Sequence, residues 1–229
     1  MLTMPELDEQ AMYDFETYFH LSMTLDRVAK MAVHFEAFKM VQDVPGSIVE
    51  CGVFKGTSFS RFAMLRQLLG SSFSCPLIGF DVFDDDYPTT GFEEDHAQRQ
   101  HWIETAGGSS ISVDQLSTVL RDRGVDNFQL VAGDVCETVP DYVARNPGLR
   151  ISLLNVDIDF VEPTLCVLEH LYDRVCRGGV VLFDNYAGEG TSGLTLHGDT
   201  KAVDDFLRDR GARVRRFPFA ARPCYLVKE

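Results

Sequence analysis

Short apolar runs that alternate with amphipathic stretches are the feature that most restricts how this chain can fold. The alternation begins after Pro45-Gly46 and continues to the end of the sequence. Apolar runs of strand length separated by segments of helix length are typical of βαβ units, whose strands pair in parallel. We therefore predict an α/β, Rossmann-like fold with a seven-stranded, mostly parallel sheet and helices on both faces.

The predicted elements follow this alternation, and Pro218 and Pro223 bound a closing hairpin. The predicted strands span residues 47–51, 77–80, 127–132, 151–156, 180–183, 213–217 and 224–227. The predicted helices between them span residues 58–69, 113–123, 136–145, 163–175 and 201–210. Residues 84–110 are polar and too long for an ordinary connection, which favours a functional lid.

Before the break, residues 8–44 show a helical pattern that contains no Gly or Pro. Apolar residues recur there at spacings of three to five: Met12, Phe15, Phe19, Met23, Val28, Met31, Phe35 and Phe38. We predict an N-terminal helical extension at 1–45 and one α/β domain at 46–229.

The acidic composition restricts the partners of the chain. The formal net charge is −14 and the pI is near 4.8, so a phosphate backbone or an anionic membrane surface would be repelled. Nucleic acid and membrane partners are not expected. No apolar run approaches the roughly 18 residues of a membrane span, and the first 30 residues do not resemble a signal peptide. We expect a cytoplasmic protein.

The first strand runs into a turn that is suited to a ligand. The turn reads Glu50-Cys51-Gly52-Val53-Phe54-Lys55-Gly56-Thr57-Ser58. Gly52 and Gly56 let the backbone pass close to a ligand, and Ser58 can cap the next helix. The turn matches neither the dinucleotide fingerprint nor the P-loop, and Glu50 suits a cationic amino group rather than phosphate. An ordinary tight βα corner remains the alternative.

Acidic residues also end the next two strands. Asp81 follows the second strand, where a carboxylate can accept hydrogen bonds from both hydroxyls of a ribose. Gly133-Asp134-Val135 follows the third and places a carboxylate near an adenine amino group. Either aspartate can instead be a helix cap. Three acidic strand ends nevertheless favour a ligand with an amino group and an adenosine over one with phosphates.

Three segments give the sequence a family resemblance. They are residues 49–53 (VECGV), 154–164 (LNVDIDFVEPT) and 178–186 (GGVVLFDNY). In these segments the chain resembles the macrocin O-methyltransferase family, which methylates hydroxyls, often on sugars of natural products. The resemblance implies a class I methyltransferase fold and a homo-oligomer. It also implies that S-adenosylmethionine contacts Glu50, Gly52, Asp81 and Asp134.

Polar residues at the ends of the fourth and fifth strands predict a metal site. Asp157, Asp184 and Asn185 would converge if these strands are neighbours, and such oxygen ligands suit Mg²⁺. The metal would bind the acceptor hydroxyl and lower its pKa. Helix capping is again the alternative. The family usually has Asp-Asp where this chain has Asp184-Asn185, which looks like catechol O-methyltransferases instead.

The general base has several candidates. Asp157 ranks first, because a metal-bound carboxylate has been suggested as the base in the family. His96 and His101 lie in the predicted lid, and histidine is the most common general base in enzymes. The acidic cluster at 84–86 and 93–95 either selects an amino-bearing acceptor or is a solvated loop.

Three functions fit these observations. The first is an S-adenosylmethionine-dependent O-methyltransferase that acts on a small hydroxylated acceptor, assisted by Mg²⁺. The second is an NAD-type oxidoreductase, against which the missing G-x-G-x-x-G argues. The third is a nucleoside-binding module without catalysis.

Overall fold

The structure is a computed structural model, and it describes residues 2–5, 8–73, 75–88, 95–96, 100, 104, 109–187 and 197–229. Residues 197 and 198 are described by their backbone alone. The strands are β1 (Ser47–Cys51), β2 (Leu77–Asp81), β3 (Phe128–Ala132), β4 (Ile151–Val156), β5 (Val175–Phe183), β6 (Arg215–Arg216) and β7 (Cys224–Val227). The helices are α1 (Glu9–Ser22), α2 (Leu25–Met40), α3 (Thr57–Leu69), α4 (Val113–Asp122), α5 (Val135–Arg145), α6 (Val161–Leu171) and α7 (His197–Leu207).

The described strands form one seven-stranded sheet in the order β3-β2-β1-β4-β5-β7-β6. The pairs β1–β2, β2–β3, β1–β4 and β4–β5 are parallel, and β7 is antiparallel to both β5 and β6. The predicted mostly parallel sheet is therefore confirmed. Strand order reverses between β1 and β4, which is where open α/β sheets bind ligands.

Two apolar clusters pack against the two faces of the sheet. One joins β-strand residues to α5, α6 and α7, and the other joins them to α2, α3 and α4. Every residue of β1, β2 and β4 is buried, as expected for parallel strands covered by helices on both sides. Helices on both faces, as predicted, leave the ends of the strands as the place for a site.

The largest departure from the predicted elements concerns β5. The helix predicted at 163–175 ends at Leu171 and is followed by one 3₁₀ turn, so β5 begins at Val175 instead of residue 180. The polar and glycine-bearing start of the strand hides it from a search for apolar runs. Gly178 has φ +80°, and the pairing of β4 with β5 shifts in register near it. The strand predicted at 213–217 is short and exposed, because only Arg215 and Arg216 pair.

The N-terminal pattern forms two helices rather than one. The chain becomes extended at Met23, and Thr24 precedes α2. In α1 no residue is buried, whereas α2 buries Val33, His34, Ala37 and Phe38. The buried face of α2 therefore differs from the predicted apolar stripe, of which Val28 and Phe35 are exposed. The division at residue 45 stays a prediction. None of the described helices combines the length and apolar character that crossing a membrane requires.

Candidate active site

The sheet brings the predicted acidic residues to one edge. Glu50 and Asp81 lie at the carboxyl ends of β1 and β2, and Asp157 and Asp184 directly follow β4 and β5. Because β2, β1, β4 and β5 are consecutive in the sheet, these ends are neighbours. The backbone N–H of Asp157 donates to Cys51 at 2.9 Å and that of Asp184 to Val156 at 3.0 Å, which extends the ladder into the site.

The turn after β1 depends on its glycines. Gly52 has φ +93° and Gly56 has φ +78°, in the region that favours glycine. A Cβ atom on Gly52 would lie far inside contact distance of the carbonyl oxygen of Asp157. The turn therefore lies directly against the first residue after β4. Phe54 between the glycines also has a positive φ, +51°.

Ser58 does not cap the following helix as predicted. The N-cap of α3 is Gly56, without a side-chain hydrogen bond, and Ser58 lies one residue inside the helix. Its side chain is buried, near enough to Glu50 to lower the pKa of that carboxyl. The cap prediction is wrong because the turn is closed by a backbone bond, from the N–H of Gly56 to Val53 at 2.8 Å.

Glu50 is a fully buried carboxylate. Its Oε1 accepts from the side-chain amide of Asn155 at 2.8 Å, and among the described residues its Oε2 accepts no well-formed hydrogen bond. Burial raises the pKa of Glu50 to about 7, although hydrogen-bond donors nearby and the positive charge of Lys30 lower it. A buried carboxylate with an open oxygen is a place for a cationic or donor group, because an unsatisfied buried acceptor is costly.

Asp81 connects two loops. Its Oδ2 accepts from the backbone N–H of Phe54 at 2.8 Å, and its Oδ1 accepts from that of Phe83 at 3.2 Å. Burial raises the pKa of Asp81, while these backbone donors lower it. Each carboxylate oxygen accepts more than one hydrogen bond, so the geometry leaves capacity for ribose hydroxyls. The ribose contact stays a prediction.

Asp134 is a helix cap. It is the N-cap of α5, and its Oδ1 accepts from the backbone N–H of Cys136 at 2.8 Å. Gly133, with φ +131°, precedes it, and Val135 is the first helical residue. Its cap role leaves Oδ2 for a ligand, so the predicted adenine contact is neither confirmed nor contradicted.

A lysine contacts both carboxylates of the predicted metal site. Nζ of Lys30, on α2, lies 3.0 Å from Oδ2 of Asp157 and 2.8 Å from Oδ1 of Asp184. The three side chains are 18%, 19% and 7% exposed. Burial lowers the pKa of Lys30, but the two carboxylates outweigh it and raise that pKa. Burial and the charge of Asp184 raise the pKa of Asp157, whereas Lys30 overcomes burial and lowers the pKa of Asp184 to about 2.

The third predicted ligand, Asn185, is hydrogen-bonded to other side chains. Its Oδ1 accepts from Arg222 at 2.8 Å, and its Nδ2 donates to Asp159. Arg222 also reaches Asp26 of α2 at 3.0 Å. No group of three His, Cys, Asp or Glu side chains in the described part of the chain is arranged to hold a metal ion. The side chains as placed therefore do not fit Mg²⁺, and the magnesium prediction is not supported.

The remaining candidates for the base lie in the predicted lid. His96 is exposed, and His101 lies outside the described residues. Asp95 is buried, and its carboxylate accepts from the backbone N–H of Val161 at 3.0 and 3.1 Å. It thus caps the N-terminus of α6, so this member of the acidic cluster is not part of a solvated loop. Glu93 and Glu94 lie outside the described residues.

Two basic residues of the site were not predicted from the sequence. Lys30 and Arg222 contact the predicted ligands from α2 and from the segment before β7. A signal for the α2 face exists in the sequence, because Asp26, Lys30 and His34 are spaced by four and share one side of a helix. His34 is fully buried and stacks on Phe62.

The sheet order and the glycine turn at the point of strand reversal define a class I methyltransferase fold. Within that class, the family model described as macrocin-O-methyltransferase (TylF) matches residues 11–213. The chain belongs to this family.

Solved structures agree with this class. The crystal structure of CalS11, a calicheamicin methyltransferase, superimposes with a TM-score of 0.72 and 26% identity over 94% of this chain and 85% of that chain. The apo structure of CalS11, described as a TDP-rhamnose 3'-O-methyltransferase, superimposes with a TM-score of 0.64 and 27% identity over 94% of this chain and 86% of that chain. The O-methyltransferase NovP shares the fold, with a TM-score of 0.70 and 18% identity over 88% of this chain and 80% of that chain.

A curated relative from Streptomyces olivaceus is 25% identical over 177 residues. It is named 8-demethyl-8-(2,3-dimethoxy-alpha-L-rhamnosyl)-tetracenomycin-C 4'-O-methyltransferase. The match covers 76% of this chain and 65% of the length of that relative.

Proposed function

We propose that the protein is an S-adenosylmethionine-dependent O-methyltransferase that methylates a hydroxyl of a sugar or of a glycosylated natural product. The observation that carries the proposal is the direct contact between the glycine turn and the acidic edge, where Gly52 leaves no room for a side chain beside Asp157. A donor in the turn and an acceptor at the carboxylates would be held side by side. Family membership and the sugar methyltransferases among the relatives support this choice of acceptor.

The residues around the turn fit the methyl donor. The open, buried oxygen of Glu50 suits the amino group of the methionine part. Asp81 would accept from the ribose and Asp134 from the adenine amino group, while Phe54, Gly56 and Val135 would border the ligand. When bound, S-adenosylmethionine supplies a methyl group on a positively charged sulfur. Three carboxylates in sequence offer acceptors, whereas a ligand with phosphates needs donors.

Asp157 is the proposed general base. It lies beside the turn, and its raised pKa gives it a stronger tendency to take a proton than an ordinary aspartate has. His96 and His101 remain candidates for a lid-borne base. Much of the rate enhancement would come from holding the acceptor oxygen close to the methyl carbon.

We also propose that the N-terminal helices pack between subunits of a homo-oligomer. The exposed large apolar residues of these two helices are Met12, Tyr13, Phe15, Tyr18, Phe19, Leu21, Leu25, Val28, Phe35 and Met40. Apolar surface of this extent typically marks an interaction site.

The decisive experiment is calorimetric titration with S-adenosylmethionine and S-adenosylhomocysteine, followed by transfer of labelled methyl to nucleotide-linked deoxysugars and to glycosylated natural products. We expect both nucleosides to bind and one of these acceptor classes to take up label. Absence of nucleoside binding would contradict the proposed function. Binding of both nucleosides with no label in either class of sugar-bearing acceptor would contradict the proposed acceptor.

A further inference from the structure

The carboxylates at the ends of β4 and β5 share one cation, and that cation is a side chain. The distances from Nζ of Lys30 to Asp157 and Asp184, 3.0 and 2.8 Å, are those of charge-assisted hydrogen bonds. Lys30 comes from α2, far away in sequence from both carboxylates. The contact is therefore a tertiary contact, which depends on how α2 packs against the sheet.

The surroundings keep Lys30 in this place. Asp26, one turn before Lys30 on the same helix, accepts from Arg222 at 3.0 Å, and Arg222 also donates to Asn185. Two charged contacts thus fasten the same face of α2 to the ends of β4 and β5. The apolar side chains of Val33 and Ala37 on the next turns are fully buried in the core.

The side chains left at this edge do not suit a divalent ion. Mg²⁺ requires six oxygens in a near-octahedral shell. Both ends of the Asn185 amide are already hydrogen-bonded, and Nζ of Lys30 already contacts both carboxylates. Lys30 brings a positive charge to Asp157 and Asp184, and Arg222 brings a second one to Asn185 and Asp26.

We infer that the ammonium of Lys30, and not a divalent metal, is the cation of the acceptor site. An ammonium has three N–H donors: one donates to Asp157, and the ion pair with Asp184 engages no more than a second. The third binds the acceptor hydroxyl oxygen and holds it at the junction with the donor turn. The inference rests on the proposed function, since it assigns a role in the same methyl transfer.

The step balances without a further reactant. The acceptor oxygen forms a bond to the methyl carbon as the bond between methyl and sulfur breaks, and the electron pair of that bond stays on sulfur. The hydroxyl proton moves to the carboxylate of Asp157. Lys30 keeps its protons throughout and stabilises the negative charge that develops on the acceptor oxygen, as oxyanion donors do.

The first test does not depend on methyl-transfer activity. The metal-free protein is titrated with Mn²⁺, and bound ion is followed by electron paramagnetic resonance. We expect no bound Mn²⁺ in the wild-type protein, and binding in Lys30→Ala, where the two carboxylates lose their counter-ion. Binding of Mn²⁺ to the wild-type protein that Asp157→Asn abolishes would overturn the inference.

The second test measures methyl transfer in EDTA. We expect the wild-type rate to be unchanged by EDTA and by added Mg²⁺, and Lys30→Met to lower kcat by about 100-fold, the loss typical of one transition-state donor. Lys39→Met is the matched control, because Lys39 lies on the same helix, is exposed and pairs only with Glu36 among the described carboxylates. Lys30→Arg should restore part of the rate.

The outcomes separate the two proposals. A wild-type rate that EDTA abolishes and Mg²⁺ restores would refute the role of Lys30, as would a fully active Lys30→Met. If the protein binds no S-adenosylmethionine, the proposed function fails, whereas the Mn²⁺ titration still decides which cation the carboxylates hold. Retained donor affinity in Lys30→Met shows that the variant is folded.

Discussion

Replacing Gly52 by alanine tests whether the donor turn and the acidic edge touch as closely as the structure shows. The new Cβ would meet the carbonyl oxygen of Asp157, a backbone atom that cannot rotate away. The residue also has φ +93°, where a non-glycine residue costs about 1–2 kcal/mol. Forcing extra volume into a packed site costs about 1–3 kcal/mol more. We expect the free energy of unfolding to fall by about 2–5 kcal/mol.

Gly211→Ala is the matched control, because it separates the backbone term from the contact. Gly211 has φ +65°, but nothing lies within 4 Å of the position a Cβ atom would take. The free energy of unfolding of Gly211→Ala should fall by only about 1 kcal/mol. With a urea slope of about 1–3 kcal/mol per M, the unfolding midpoints of the two variants should differ by about 1 M. Gly52→Ala should also weaken binding of S-adenosylmethionine, which Gly211→Ala should leave unchanged. Equal midpoints together with wild-type donor affinity in both variants would refute the close contact.

The other predictions concern the carboxylates and α1. The pKa of Glu50 is raised from 4.5 to about 7, so the charged carboxylate destabilises the wild-type protein as the pH rises through this window. Glu50→Gln lacks this charge, so between pH 4.5 and pH 8, without donor, its free energy of unfolding in urea should rise by about 3 kcal/mol relative to wild type. If the stabilities of the two proteins run parallel against pH, the raised pKa is contradicted. Asp81→Asn keeps one side-chain oxygen that can accept from a loop amide. It should weaken donor affinity, measured by calorimetry, about tenfold, because a hydrogen bond to a charged group contributes about 1.5 kcal/mol or more. Unchanged affinity would show that the ribose binds elsewhere. Phe19→Glu together with Leu21→Glu on α1 should lower the molar mass measured by light scattering. The free energy of unfolding should change little, because α1 buries no residue. An unchanged molar mass would place the subunit contact elsewhere.

The sheet could be predicted from the sequence because its inner strands are continuous apolar runs. β1, β2 and β4 are buried throughout, and the turns that follow them carry residues of unmistakable type, such as Glu50-Cys51-Gly52 and Asp157. β5 was located only in part. Its first residues include Arg177 and Gly178, which resemble a loop until the register shift against β4 explains them.

The site was harder to predict than the fold, because strand ends show which residues meet but not which other side chains come to them. Asp157 and Asp184 were expected to be neighbours. That their counter-ion is Lys30 depends on how α2 docks, and the spacing of its apolar residues does not show which polar residues of the helix contact the carboxylates. Ser58 shows the same limit on a smaller scale, since a cap depends on where the helix starts, and the left-handed Gly56 moves that start by one residue.

The docking of α2 changes where acceptor selectivity should be sought. From the sequence alone, the acidic cluster within the segment 84–110 was one candidate for acceptor selectivity. Asp95 of that cluster caps α6, and Asp157 and Asp184 contact Lys30 of the N-terminal helix α2. A helix that supplies both the cation and an anchor through Asp26 cannot move without breaking the site. Changes on the face of α2 next to Lys30 should therefore alter kcat for all acceptors together. Changes in 84–110 that spare Asp95 should alter KM for one acceptor against another, because binding contacts made equally before and during transfer change KM alone.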